Sequence, residues 1–153
     1  MFGEKQTIHL FPYPVWLFAV EPNKVETINQ KSLAYIEQTR TSQPGGQSDN
    51  HWQSSNDLQT LPEFEELCEV IKSATRDIFQ QLCINTDKFL ITGCWINLRP
   101  PGSEHPPHTH PNNYLSGSYY VETPNGGDAI IFRDPRIETN IIAPPVSKQT
   151  EHN

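Results

Sequence analysis

The hydrophobic pattern of this chain changes period near Phe89, and that switch limits the folds open to it more than any other feature. Upstream, Leu61, Phe64, Leu67, Ile71, Ala74, Ile78 and Leu82 recur at spacings of three and four. This is the apolar stripe of an amphipathic helix, and it reads as core. Thr60-Leu61-Pro62-Glu63 has the T-x-x-E spacing of a capping box and is expected to start that helix. Pro22 is expected to open an earlier helix running to about Thr39, with Val25, Ile28, Ser32 and Ile36 on one side. Between the two, residues 40–59 are polar and read as a loop. Trp52 within it needs burial, so the loop is expected to lie on the core.

From Phe89 the chain reads as strand. Phe89 to Leu98 is nearly continuous in apolar and β-branched residues and sets Trp95 and Asn97 on one face, and Pro100-Pro101-Gly102 ends it. Leu115 to Glu122 reads as a strand joined through Pro124-Asn125-Gly126-Gly127 to a hairpin partner, Ala129 to Phe132. Thr7 to Phe11 reads as a short strand before the apolar run Val15 to Val20. Helices first and antiparallel strands second predict an α+β, mainly β architecture: a β-sandwich or jelly roll with helices packed on one sheet.

Composition narrows the function. A chain of 153 residues suits one domain with a real core. Its 14 prolines and 35% hydrophobic content favour loops and strand edges over a helical bundle. The formal net charge of −7 argues against a nucleic-acid partner, since phosphate contacts need clustered Lys and Arg. The three cysteines, Cys68, Cys83 and Cys94, lack C-x-x-C spacing and read as reduced thiols. No segment is apolar for long enough to suggest a membrane span, and the N-terminus lacks the pattern of a signal peptide. A soluble, cytoplasmic protein with no membrane partner is expected.

The chemistry concentrates in His105-Pro106-Pro107-His108-Thr109-His110-Pro111, which holds three of the six histidines. On an extended strand His108 and His110, at i and i+2, project from the same face. Two imidazoles fixed side by side suit a divalent metal such as Fe(II) or Zn(II). The alternative is a proline-rich loop with solvated histidines. A zinc site on His105, His108 and His110 is a further reading, disfavoured because prolines restrict how three such close histidines converge. His9 and His51 carry no pattern.

Trp95-Ile96-Asn97, Pro101-Gly102, His108-Thr109-His110-Pro111 and Leu115-Ser116-Gly117-Ser118-Tyr119-Tyr120-Val121 together resemble a family of 2-oxoglutarate/Fe(II) oxygenases of the prolyl-hydroxylase-like superfamily. Asp134-Pro135-Arg136, Ala143-Pro144-Pro145, Trp52-Gln53-Ser54 and Asp57-Leu58 extend the likeness. The resemblance implies a cupin-like double-stranded β-helix, and Fe(II) and 2-oxoglutarate as cofactor and co-substrate. It implies His108 as the first histidine of the metal motif. It puts His110 in the slot that holds a carboxylate elsewhere in the superfamily, which leaves the site more positive. It implies Asn97 and Tyr120 as co-substrate residues. Read from the residues alone, Asn97 could instead satisfy a turn, and Tyr120 could be a core tyrosine with a wet tip. Arg133 and Arg136 flank Asp134 and read as hairpin-end salt bridges, while His105 reads as a residue behind the metal ligands or beside the substrate.

Against the family pattern, a distal histidine and a late arginine are missing, since the chain ends in the polar tail Ser147 to Asn153. His152 sits on that tail and is poorly placed as a ligand. The expected organisation is one incomplete domain: a helical part over 1–88, jelly-roll strands over 89–146 and the tail over 147–153, with the last strands missing. An unpaired edge of this kind is expected to be marginally stable or completed by another chain, including a second copy in a homo-oligomer.

Two functions follow. The first is a non-haem Fe(II)/2-oxoglutarate oxygenase, a hydroxylase acting on an unidentified small-molecule or protein substrate, here as a fragment that binds Fe(II) weakly and turns over little. The second is a non-catalytic jelly-roll binding or accessory module.

Overall fold

The computed structural model describes residues 6, 13–42, 51–123 and 129–133. It divides into two compact units, Met1–Glu122 and Thr123–Asn153. The first contains helix α1 (Pro22–Ser42), strand β1 (Trp52–Gln53), two 3₁₀ turns (Leu58–Thr60 and Pro62–Phe64), helix α2 (Glu65–Gln81) and strand β2 (Asn97–Leu98).

Helix α1 starts where Pro22 predicts, because a proline at the first helical position gives up only an N–H that would be orphaned anyway. It runs three residues past Thr39, to Ser42. Ile28 and Ser32 are buried, and the Ser32 hydroxyl donates to the Ile28 carbonyl at 2.8 Å, which satisfies it inside the core.

The entry to α2 corrects the expected capping box. The Thr60 hydroxyl donates to the Asp57 carbonyl at 2.7 Å and closes a 3₁₀ turn. Leu61 is extended (φ −91°, ψ 135°), as the residue before a proline prefers, and a second 3₁₀ turn over Pro62–Phe64 feeds α2. Glu65 and Glu66 in the first turn of α2 complement its dipole. The stripe packs as expected at Phe64, Leu67 and Ile78, which are buried; Leu82, past the last helical turn, is exposed.

The 51–58 segment lies on the core, and it does so by zipping along residues 94–98. Strands β1 and β2 pair antiparallel, Trp52 with Leu98 and Gln53 with Asn97. The Ser54 amide donates to the Ile96 carbonyl at 3.0 Å, and the Ile96 amide returns to the Ser54 hydroxyl at 2.9 Å. A parallel bridge then joins Asp57 to Cys94. Of the strand expected over Phe89–Leu98, only this end is paired. Among the described residues β1 and β2 are the strands present, and Leu115–Glu122 and Ala129–Phe132 run without ladder partners. The strand expected over Thr7–Phe11, the turn expected over Pro124–Gly127 and the 134–153 segment lie outside the described residues.

The core of the first unit is Ile28, Leu58, Phe64 and Leu67, with Ile96 and Tyr119 packed on it from the 89–123 segment. Tyr35 meets Phe64 edge to face at 5.1 Å. Alternation follows: Cys94 and Ile96 face this core, which sends Trp95 and Asn97 to the opposite side. In the second unit Ile130, Ile131 and Phe132 are exposed.

Candidate functional site

A turn brings the histidine segment back beside the strand. The Ser103 amide donates to the Pro100 carbonyl at 3.2 Å, closing Pro100-Pro101-Gly102-Ser103. Pro at the second position and Gly at the third is the type II pattern, and Gly102 has the positive φ (79°) that this turn demands. A second reversal follows His110, where Asn112 takes φ 65°, as asparagine tolerates, and the Thr92 hydroxyl bonds Asn113.

His108 and His110 come together, with their Nε2 atoms 3.1 Å apart and ring centroids 4.9 Å apart. Hydrogen bonding favours one arrangement of their protons. His108 Nδ1 lies 2.9 Å from the Pro106 carbonyl, which can only accept, so Nδ1 donates and Nε2 keeps its lone pair. His110 Nε2 therefore donates to it, and His110 Nδ1 accepts from the Ser116 hydroxyl at 3.2 Å. Trp95 sets its indole edge to face against His110 at 5.1 Å, and Gly93 leaves room for that indole, since a Cβ there would come within 3.3 Å of it. His110 is half-buried under this contact, and His108 is exposed.

His105 stacks on His108 at 4.5 Å with rings 22° apart. Stacked rings direct their nitrogens side by side, so they do not converge. Among the described residues no group of three or more His, Cys, Asp and Glu side chains is placed to hold one metal ion, which leaves the three-histidine zinc reading without support. The pair itself fits two ligand positions. Neighbouring ligands about 2.1 Å from an octahedral metal stand roughly 3.0 Å apart, against roughly 3.4 Å in a tetrahedral site. The observed 3.1 Å, here spanned by a hydrogen bond, lies within this range. His108 also has the support that metal-binding imidazoles usually have, an Nδ1–H held by a backbone carbonyl.

The remaining expected residues are less closely gathered. Asn97 is exposed and shares its face with Trp95. Tyr120 is 59% exposed and makes no hydrogen bond or ring contact with the described residues. Its neighbour Tyr119 turns inward and donates to Asn29 Oδ1 at 2.8 Å, and burial pushes its hydroxyl above the ordinary phenol range.

Sequence reasoning missed two residues here. Arg99 Nη1 lies 3.1 Å from both His51 Nδ1 and the Glu104 carbonyl. His51 carries no sequence pattern and arrives through the β1–β2 pairing. Arg99, two residues after Asn97 on an alternating strand, could have been placed on the same face. Desolvation, then the nearby Arg99 guanidinium and the other imidazoles, holds His105 below the ordinary histidine range.

Paired imidazoles with their Nε2 atoms 3.1 Å apart form a candidate site for one divalent metal. Residues 93–153, about two-fifths of the chain, match the family described as Putative 2OG-Fe(II) oxygenase, which supports the family resemblance read from the sequence. The family's name implies Fe(II) and 2-oxoglutarate. No curated protein and no solved structure matches the chain. No helix among the described residues is long and apolar enough to cross a membrane.

Proposed function

We propose that this chain is a non-haem Fe(II)/2-oxoglutarate-dependent oxygenase of the hydroxylating kind, with His108 and His110 as metal ligands in a double-stranded β-helix. One observation carries the reading: the 3.1 Å spacing of the two Nε2 atoms within the segment that matches the oxygenase family. Fe(II) and 2-oxoglutarate, when bound, supply O₂ activation coupled to decarboxylation to succinate. The chain's own part is to hold and orient. The Pro106 carbonyl holds the His108 proton on Nδ1, so the Nε2 lone pair, which accepts from His110 in this structure, would face a metal. His110 reaches the same state by moving its proton from Nε2 to Nδ1, where the Ser116 oxygen can accept it. The Trp95 edge keeps water from one side of His110. Asn97 and Tyr120 are proposed to bond the co-substrate from the outward face of the same segment.

The test combines binding and turnover. Mn(II) titrated into the full chain is expected to bind, and His108→Ala or His110→Ala to weaken it by about tenfold or more. Succinate formation with Fe(II), ascorbate and 2-oxoglutarate is expected to depend on both residues. Unchanged Mn(II) binding in both variants, or succinate formation that survives His108→Ala, defeats the assignment.

A further inference from the structure

We propose that Arg99 and His51 are positioning residues for the histidine pair, a clamp that sets where His108 stands by holding the chain at Glu104. The turn over Pro100-Pro101-Gly102-Ser103 reverses the chain, and past it the Glu104 carbonyl is the last main-chain tether before the histidines. Among the described residues the backbone of 105–110 makes no hydrogen bond outside that segment. The two imidazoles are therefore placed by what meets their rings. His110 has the Trp95 indole and the Ser116 hydroxyl. His108 has the stacked ring of His105 and the Pro106 carbonyl, both on the stretch that leaves Glu104.

The chemistry of Arg99 suits a clamp. Its Nη1 carries two hydrogens, and each has an acceptor at 3.1 Å, His51 Nδ1 and the Glu104 carbonyl. The guanidinium is planar, so both acceptors are held near one plane at a set angle. A guanidinium only donates, so His51 offers its Nδ1 lone pair. His51 in turn precedes β1, whose Trp52 pairs with Leu98, the residue before Arg99. The clamp thus carries the β1–β2 frame across the turn to Glu104, and from there to the His105–His108 stack. Metal ligands need such support, because a site works only when its ligands stand within about 0.5 Å of the productive geometry. The purpose of the clamp rests on the metal reading, whereas the clamp itself is tested without metal.

The full-length chain is observed first metal-free, with the ring resonances of His105 and His108 as readout, and is then titrated with Mn(II). Arg99→Met and His51→Phe are expected to move both rings toward the resonances of unstacked histidine, with the amide resonances of both helices unmoved. Mn(II) is expected to bind each variant about tenfold more weakly, the scale of losing a group that orients a ligand. His51→Asn, whose Oδ1 can stand where Nδ1 stood, is expected to restore both readouts, which a general loss of packing would not allow. The double variant is expected to bind no more weakly than either single one, because the two residues act as a unit. His51→Phe, which keeps a ring in place, carries the test if Arg99→Met does not fold. Wild-type ring resonances in the variants overturn the clamp. So does wild-type Mn(II) affinity in variants whose rings have moved, or a His51→Asn chain that behaves like His51→Phe. Rings that move in variants of a chain that binds no Mn(II) even as wild type uphold the clamp and defeat the metal reading instead.

Discussion

At Cys94 the backbone is zipped on both sides, its amide to the Asn56 carbonyl and its carbonyl to the Leu58 amide, each at 3.1 Å. Burial, with a smaller contribution from Cys68, pushes its thiol from the ordinary 9.0 up to about 11. A pKa raised on folding means the native state keeps a proton that the unfolded chain releases. The stability this confers is complete below pH 9.0 and is lost as pH rises toward about 11. The urea midpoint of the wild-type chain is expected to fall across that window, and Cys94→Ala to flatten the fall. Burial raises Cys68 too, whereas Cys83 is exposed. Cys83 should therefore react first with an aromatic disulfide at pH 8, well ahead of the other two thiols.

Helix α2 ends in a Schellman motif, with the Ile84 amide on the Phe79 carbonyl at 2.8 Å and the Cys83 amide on that of Gln80 at 3.1 Å. The motif requires a left-handed residue, and Cys83 occupies it at φ 55° despite its Cβ. Cys83→Gly is expected to stabilise the chain by about 0.5–1 kcal/mol, read as a higher urea midpoint, and Cys83→Val to lower it. Both helices were legible because a 3.6 period and a proline at N1 are local signals. The capping box was misread because Pro62 pins Leu61 in an extended conformation, which leaves Thr60 closing the turn behind it.

Across the first unit, Asn29 ties α1 to the segment that follows the histidines. Its amide donates to the Val121 carbonyl at 2.7 Å, and its oxygen accepts from the Tyr119 hydroxyl. Asn29→Ala is expected to cost about 1–3 kcal/mol in urea unfolding, because it leaves a half-buried carbonyl and hydroxyl without partners. Tyr119→Phe should cost less, and the double variant less than the sum of the two. A fully additive cycle would show that the two groups act independently.

The local part of this protein was written in its sequence: the helical stripes, the Pro-Gly turn at 100–103 and the i, i+2 pairing of His108 with His110. Each depends on residues within a few positions of one another, where backbone sterics and side-chain spacing decide. Tertiary structure alone decided which segments meet. The pairing of 52–53 with 97–98 brings His51 to Arg99 across 48 positions, and no short-range signal encodes that. It also decided that Tyr119 faces the core and Tyr120 the solvent, since a strand's alternation is clear in sequence but its absolute register is not.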